Sequence, residues 1–156
     1  AAKAIYNQIH HMFHFKSFLS DVSNSASKHG LVYLQKKLIS DILKNESKIS
    51  SVDEGISLIK DQFSHRRVLV IMDNIDEGEQ LNAIAGNHNW FGPGSRIIIT
   101  TRDEHVLKQG KVNKTYLLPE MNKGEALELL SWHAFGNSCP NDGYIELSEE
   151  VVSYCG

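Results

Sequence analysis

The stretch that decides the fold is "RRVLVIMDNID", Arg66 to Asp76, in which five apolar residues follow two arginines. A run this short and this rich in β-branched residues is typical of a strand that is buried on both faces. The apolar run ends at Met72, and Asp73 is the first polar residue after it. Ligands of parallel sheets bind outside the carboxyl ends of the strands, so the sequence predicts that Asp73 lies at a ligand-binding edge.

A second run, "SRIIITTRD", repeats this pattern, because Ile97 to Ile99 are followed by Thr100, Thr101 and Arg102. Three isoleucines in a row strongly favour a strand. A carboxylate and a guanidinium at one edge suit a metal-bound phosphate: an Asp holds Mg²⁺ and an Arg pairs with a terminal phosphate. Polar residues also appear wherever a buried strand meets water, and an Asp can simply cap the next turn. On this pattern alone both interpretations stay open.

Periodicity along the rest of the chain predicts alternating helices and strands. Helices are predicted from Ala1 to about Met12, over Leu31–Lys44, Val52–Phe63 and Gln80–Ala85, and twice after Pro119. Strands are predicted over Phe15–Val22, Val68–Met72, the isoleucine run and Lys114–Pro119. Residues 23–30, which are rich in Ser, Asn and Gly, are predicted to form a loop. Such alternation implies an α/β fold, with a parallel sheet covered by helices on both faces and a helical appendage.

The composition excludes several function classes. The chain has 156 residues, 41% of them hydrophobic, and a formal net charge of −3 without clusters of cations. A nucleic-acid surface is therefore not expected, and no apolar segment approaches the roughly 20 residues of a membrane span. Cys139 and Cys155 lack the CxxC spacing of zinc sites and are expected to be ordinary thiols. We expect a protein of the cytoplasm, with the nucleus as the other expected compartment.

Other candidate sites are weaker. His10 and His14 stand four residues apart, which suits metal ligation, but no third ligand is apparent and surface histidines are the simpler interpretation. The chain contains no G-x-x-x-x-G-K-[ST] motif, which normally supplies the backbone N–H cradle of a phosphate site. A cradle of this kind would have to precede Ala1.

Taken together, the motifs resemble the nucleotide-binding NB-ARC module of plant intracellular immune receptors. "AAKAIYNQI" is similar to the helix after the family's P-loop, "FKSFLSDVS" to its next strand, "RRVLVIMDNID" to kinase-2 (Walker B), "GPGSRIIITTRDEHVL" to the sensor motif, and "YLLPEMNKGEALELLSWHAF" to the entry into the first ARC subdomain. The terminal "VVSYCG" resembles the approach to the Gly-Leu-Pro-Leu motif. The order of these segments matches that of the family.

The resemblance implies a P-loop NTPase-like fold of the STAND class. It divides the chain into residues 1–118, a partial nucleotide-binding subdomain lacking its first strand and P-loop, and residues 119–156, the start of a helical ARC subdomain. The chain is then expected to be a fragment that neither folds cooperatively nor binds nucleotide alone. Asp76, at a position where the family's TIR class has Asp and its coiled-coil class has Trp, points to the TIR class.

The resemblance also assigns roles to residues. Asp73 would be the Walker B aspartate that organises Mg²⁺, Arg102 the sensor arginine that reads the terminal phosphate of ADP or ATP, and Thr101 its neighbour. Asn74 stands where the family usually has a second Asp that acts on the attacking water. An amide cannot accept a proton as a carboxylate does, so at most a slow ATPase is expected.

The function implied is an ADP/ATP-dependent switch in plant defence. Its partners would be intramolecular TIR and leucine-rich-repeat domains, with oligomerisation on activation. Two alternatives stay open on the sequence: another STAND or AAA-type regulatory ATPase, and a degenerate scaffold that holds no nucleotide.

Overall fold

The computed structural model describes residues 2–155, which form eight α-helices, three strands and two short 3₁₀ turns. In chain order they are α1 (Ala2–Ile9), a turn at His10–Met12, β1 (Phe15–Leu19), α2 (Val22–His29), α3 (Leu31–Leu43), α4 (Val52–Phe63), β2 (Val68–Ile75), α5 (Gly78–Ala85), a turn at His88–Trp90, β3 (Arg96–Thr101), α6 (Glu104–Gln109), α7 (Lys123–Phe135) and α8 (Ile145–Cys155). Residues up to Thr115 form one compact unit, and those from Tyr116 form another.

The three strands form one parallel sheet in the order β1-β2-β3. Phe15 pairs with Val68 at the start of β2, and Leu69 pairs with Arg96 at the start of β3. The central position of β2 explains its apolar run, because a strand with neighbours on both sides and helices above and below meets no water. Its first five residues are all buried.

Helices cover both faces of the sheet, as the sequence predicted. Val68, Val70 and Met72 point into the larger core, which α2 to α5 complete. Leu69 and Ile71 point to the opposite face, where they join Ala2 of α1 and Phe13 in a smaller cluster. Because successive side chains of β2 point to opposite faces, this strand contributes to both hydrophobic cores. The predicted α/β class with a parallel sheet is confirmed.

Most predicted elements are present, but the region after β1 differs from the prediction. The strand ends at Leu19, and the predicted loop over 23–30 is wrong, because Val22 to His29 form α2. Val22 is fully buried and Ala26 packs against the same core. Tertiary burial on one face therefore outweighs the weak helix propensity of the serines and asparagines. The predicted helix at the amino terminus is present as α1, and Ala1 lies outside the described residues.

The strand predicted over residues 114–119 is also wrong. This segment is extended, but within the described part of the chain it pairs with no strand. Tyr116, Leu117 and Leu118 are 80%, 94% and 68% exposed. An apolar run with few β-branched residues becomes a strand only where another strand pairs with its backbone groups.

The second unit consists of α7, α8 and their connection. A capping box begins α7: the Asn122 side chain accepts from the backbone N–H of Glu125, whose carboxylate accepts from that of Asn122. Large apolar side chains remain exposed on both helices, among them Trp132, Ile145, Leu147 and Tyr154. None of the helices between residues 2 and 155 has the length and hydrophobicity needed to cross a membrane.

Candidate functional site

Asp73 and Thr100 meet at the carboxyl edge of the sheet. Thr100 Oγ1 donates to Asp73 Oδ1 over 2.6 Å. The register explains the contact. Met72 pairs with Ile99, so Asp73 and Thr100, the next residues on the two strands, lie side by side on the same face of the sheet. The Asp73 carboxylate is half-buried, and its other oxygen, Oδ2, makes no hydrogen bond to any residue between 2 and 155. One oxygen is thus held by the protein and the other is available to a cation.

A bulge in β2 begins directly after this aspartate. Ile75 pairs with Thr101, so three residues of β2 span the distance that two residues of β3 span. Asn74 has φ +61°, in the left-handed region that Asn tolerates better than most side chains. Its backbone N–H turns to Thr100 Oγ1 at 2.9 Å in place of a ladder bond. The Thr100 hydroxyl therefore joins both Asp73 and Asn74 to β3.

The side chain of Asn74 turns toward β1, where its Nδ2 donates to Asp21 Oδ1 over 2.9 Å. Asp21 immediately precedes α2 and also has a left-handed backbone, with φ +46°. The hydrogen bond from Asn74 is the main reason that the pKa of Asp21 lies below its usual value, and contacts with Asn24 in the first turn of α2 lower it further. Asn74 thus donates a hydrogen bond to a carboxylate in the segment that connects β1 to α2.

Asp76 has a structural role in the turn that follows β2. Its Oδ2 accepts from Ser23 Oγ at 2.5 Å and its Oδ1 from Gln80 Nε2 at 2.6 Å, while its own N–H donates to Gln80 Oε1 at 3.2 Å. Ser23 and then Gln80 lower the pKa of Asp76 by stabilising its charged form. This carboxylate therefore joins α2 to α5 behind the sheet edge.

Thr101 and Arg102, both predicted site residues, are placed differently from Asp73. Thr101 Oγ1 accepts from the N–H of Asp103 at 3.0 Å and lies 3.3 Å from the carbonyl oxygen of the same residue, so it shapes the turn into α6. Arg102 is exposed and makes neither a hydrogen bond nor an ion pair with any of residues 2–155. The structure thus brings Asp73 to Thr100, and not to Thr101 or Arg102.

Sequence reasoning therefore missed two contacts, those of Thr100 and Asp21. Strand alternation could have identified Thr100, since it lies on the same face of the sheet as Asp73 once the register is known. No feature of the sequence indicated the role of Asp21. Its hydrogen bond to Asn74 spans 53 residues of sequence and depends on the left-handed backbone at both residues.

The histidines and an open cavity beside α4 lie elsewhere. His10 stacks on Tyr6 with 5.2 Å between ring centroids, and His14 meets Phe15 edge-on. No group of three metal-ligating side chains occurs among residues 2–155. An open cavity of about 610 Å³ lies beside α4, lined by residues between Ser47 and Asp61. It includes none of the strand-end polar residues, so the chemistry of the sheet edge identifies the candidate site better than the cavity volume does.

Comparison with known families supplies the classification. Residues 1–139 match the family described as the NB-ARC domain. The chain belongs to the NB-ARC family. The resemblance inferred from the order of the motifs is confirmed, and the parallel sheet with Asp73 at its carboxyl edge is the NB-ARC fold as this chain forms it.

Relatives of this NB-ARC chain include plant disease-resistance proteins. It is 41% identical to the disease resistance protein RUN1 and 40% identical to the disease resistance protein RPV1, both of Vitis rotundifolia, over 99% of its own length. It is 35% identical to the TMV resistance protein N of Nicotiana glutinosa over 88% of its length. The chain covers 12%, 11% and 12% of these three proteins, in that order.

Proposed function

We propose that this chain is part of an ADP/ATP-dependent switch in a plant immune receptor, with the carboxyl edge of the sheet as its nucleotide site. The observation that carries the proposal is the Asp73–Thr100 contact, in which the protein holds one carboxylate oxygen and leaves the other free. A hydroxyl donor at 2.6 Å fixes the orientation of the carboxylate before any ligand arrives. Such preorganisation is expected of a binding group.

The residues at this edge fit Mg²⁺. Magnesium prefers oxygen ligands and is commonly held by one or two carboxylates together with waters and the phosphates of the nucleotide. Asp73 supplies one such carboxylate, so the lack of a three-ligand cluster in residues 2–155 is no obstacle. When bound, the ion would neutralise phosphate charge. Thr100 would keep the metal-binding oxygen turned outward.

Arg102 is suited to the terminal phosphate. It is the first residue after β3, it is exposed, and the hydroxyl of Thr101 fixes the turn in which it stands. A guanidinium with no protein partner in the described chain retains its donors for phosphate oxygens, with which it forms two parallel hydrogen bonds. We therefore assign Arg102 to phosphate recognition and Thr101 to positioning that arginine.

Asn74 makes efficient hydrolysis unexpected. Its amide donates to Asp21 and cannot take a proton from water, and the loss of a general base typically lowers a rate by about 10²–10⁴-fold. The nucleotide would then act as a ligand that favours one of two conformations, with at most slow turnover.

The relatives support a proposal for the protein in which this switch acts. The chain spans about an eighth of the length of the disease-resistance proteins that it matches, so further domains are expected to accompany it. We propose TIR and leucine-rich-repeat domains as intramolecular partners, since Asp76 is typical of the TIR class. Oligomerisation on activation and a cytoplasmic or nuclear location belong to the same proposal.

Binding of ADP and ATP by the intact protein that carries this segment tests the proposal. Calorimetric titration should give micromolar affinity, and Arg102→Ala should weaken ATP binding by about tenfold more than ADP binding, because ATP has the additional phosphate. Arg96→Ala is the matched control, since Arg96 is also exposed but begins β3 at the opposite edge of the sheet. The absence of binding in the wild-type protein, or equal losses in the two variants, would contradict the proposal.

A further inference from the structure

The contact between Asp21 and Asn74 has a fixed polarity. A carboxylate only accepts hydrogen bonds, so the amide nitrogen of Asn74 must face Asp21. The distance of 2.9 Å is that of a charge-assisted bond. The amide oxygen of Asn74 therefore stays available to a ligand, since it makes no hydrogen bond to any of residues 2–155. Asp21 thereby decides which atom of Asn74 the edge of the sheet presents.

The backbone at both ends supports a specific role for this contact. Asp21 and Asn74 both lie in the left-handed region, with φ +46° and +61°. Non-glycine residues rarely adopt this conformation, and those that do are concentrated at sites where the surrounding structure imposes it. The two turns bring side chains together that are 53 residues apart in sequence.

We propose that Asp21 is a positioning residue of the nucleotide site, one that orients the Asn74 amide and makes position 74 intolerant of a carboxylate. The inference rests on the proposed function, since the site it concerns is the nucleotide site. Asn74 stands where the family usually has a second Asp, and in this chain the choice of residue at position 74 depends on Asp21. An Asp at position 74 would place a second carboxylate against Asp21, which now accepts a hydrogen bond from the Asn74 amide.

No cation forms an ion pair with Asp21 in the part of the chain that the structure describes. Lys28 in α2 exerts only a small attraction on Asp21. Asp73 directly precedes position 74 on β2, and Asp76 directly follows the end of this strand. A carboxylate at position 74 would lose the amide donor and meet the Asp21 carboxylate directly, and like charges in contact repel each other.

A double-mutant cycle in the intact protein tests the coupling. The variants are Asp21→Asn, Asn74→Asp and the exchange of both residues, with Asn45→Asp in the loop after α3 as the control for added charge. Affinity for Mg·ADP is measured for each protein at pH 7.5. In the exchanged protein the amide at 21 donates to the carboxylate at 74, so the hydrogen bond returns with reversed polarity.

We expect Asn74→Asp to weaken Mg·ADP binding about tenfold at pH 7.5, and the exchanged protein to recover to within about twofold of the wild type. Asp21→Asn alone should also stay within about twofold, because its amide oxygen still accepts from Asn74. Recovery in the exchanged protein is the readout that a purely structural role of either residue would not produce.

The outcomes separate the inference from the function on which it rests. Normal binding by Asn74→Asp, or a loss that Asp21→Asn does not relieve, would overturn the role of Asp21 and leave the nucleotide site in place. A wild-type protein that binds no Mg·ADP would overturn the proposed function itself, and the inference with it.

Discussion

At the scale of single residues, the edge of the sheet is organised by polar side chains that bond each other. Thr100 holds Asp73 and the backbone of Asn74, Asp21 holds the Asn74 amide, and Asp76 holds Ser23. The bonds of Thr100 join β3 to β2, and those of Asp21 and Asp76 join the end of β2 to the start of α2. The hydrogen bonds to Asp21 and Asp76 stabilise the charged form of these two carboxylates, and the pKa of each is therefore lowered.

The lowered pKa of Asp76 predicts a dependence of local stability on pH. A group whose pKa is lower in the folded state contributes stability above its unfolded pKa, near 3.9, and loses it as pH falls through the folded value. Asp76→Asn should therefore destabilise α5 by less than about 1 kcal/mol at pH 6, since the carboxylate is exposed. The difference between the wild-type protein and the variant should shrink toward pH 3.

Hydrogen exchange of the α5 amides in the intact protein, corrected for the intrinsic rate at each pH, measures this difference. A gap that stays constant between pH 6 and pH 3 would show that the Asp76 carboxylate stabilises the turn by its shape and not by its charge.

At the scale of elements, α3 and α4 pack through one close approach. The fully buried Gln35 donates from Nε2 to the carbonyl oxygens of Val52 at 3.0 Å and Ala83 at 2.8 Å, and so joins α3 to α4 and α5. Its Oε1 has no hydrogen-bond partner and lies against Gly55. Gly55 leaves the space that the amide of Gln35 occupies.

Gly55→Ala should therefore destabilise the packing of α3 on α4. A methyl group at this position would overlap the Gln35 side chain, and overpacking of this kind costs about 1–3 kcal/mol. The cost should exceed the gain of about 1 kcal/mol that Ala brings to a helix interior. Hydrogen exchange of the α3 and α4 amides in the intact protein measures the change. Ser57→Ala, an exposed position in α4, should be neutral or slightly stabilising.

An equal response of the two variants would show that Gln35 moves aside at little cost, and that the close approach at Gly55 is not needed for this packing.

The sequence predicted those elements whose burial is periodic and missed those that depend on neighbours. The runs before Asp73 and Thr100 identify β2 and β3, because a buried strand needs consecutive apolar residues. Helix α2 has Val22 and Ala26 as its inward side chains among serines and asparagines, so its sequence alone is typical of a loop. The segment around Leu117 has the composition of a strand, but a strand requires a partner as well. Asp21 could not be predicted, because its role depends on the fold.

At the scale of the whole molecule, each unit has apolar side chains that are exposed or only partly buried. β3 pairs with β2 alone among the described strands, and its three isoleucines are only partly buried. Trp132 and Tyr154 of the second unit are 55% and 93% exposed. The relatives extend well beyond the matched region. The expectation that the 156 residues alone neither fold cooperatively nor bind nucleotide stays a prediction.

The central claim is that Asp73 supplies the metal-binding carboxylate of a nucleotide site. The most direct test is the affinity of the intact protein for ADP, measured with Mg²⁺ and with a chelator, in the wild-type protein and in Asp73→Asn. Removal of Mg²⁺ should weaken wild-type binding by about tenfold or more and leave Asp73→Asn almost unchanged. Asp103→Asn, at the same edge but bonded to His105, should behave like the wild type. An Asp73→Asn protein that keeps the full dependence on Mg²⁺ would contradict the account.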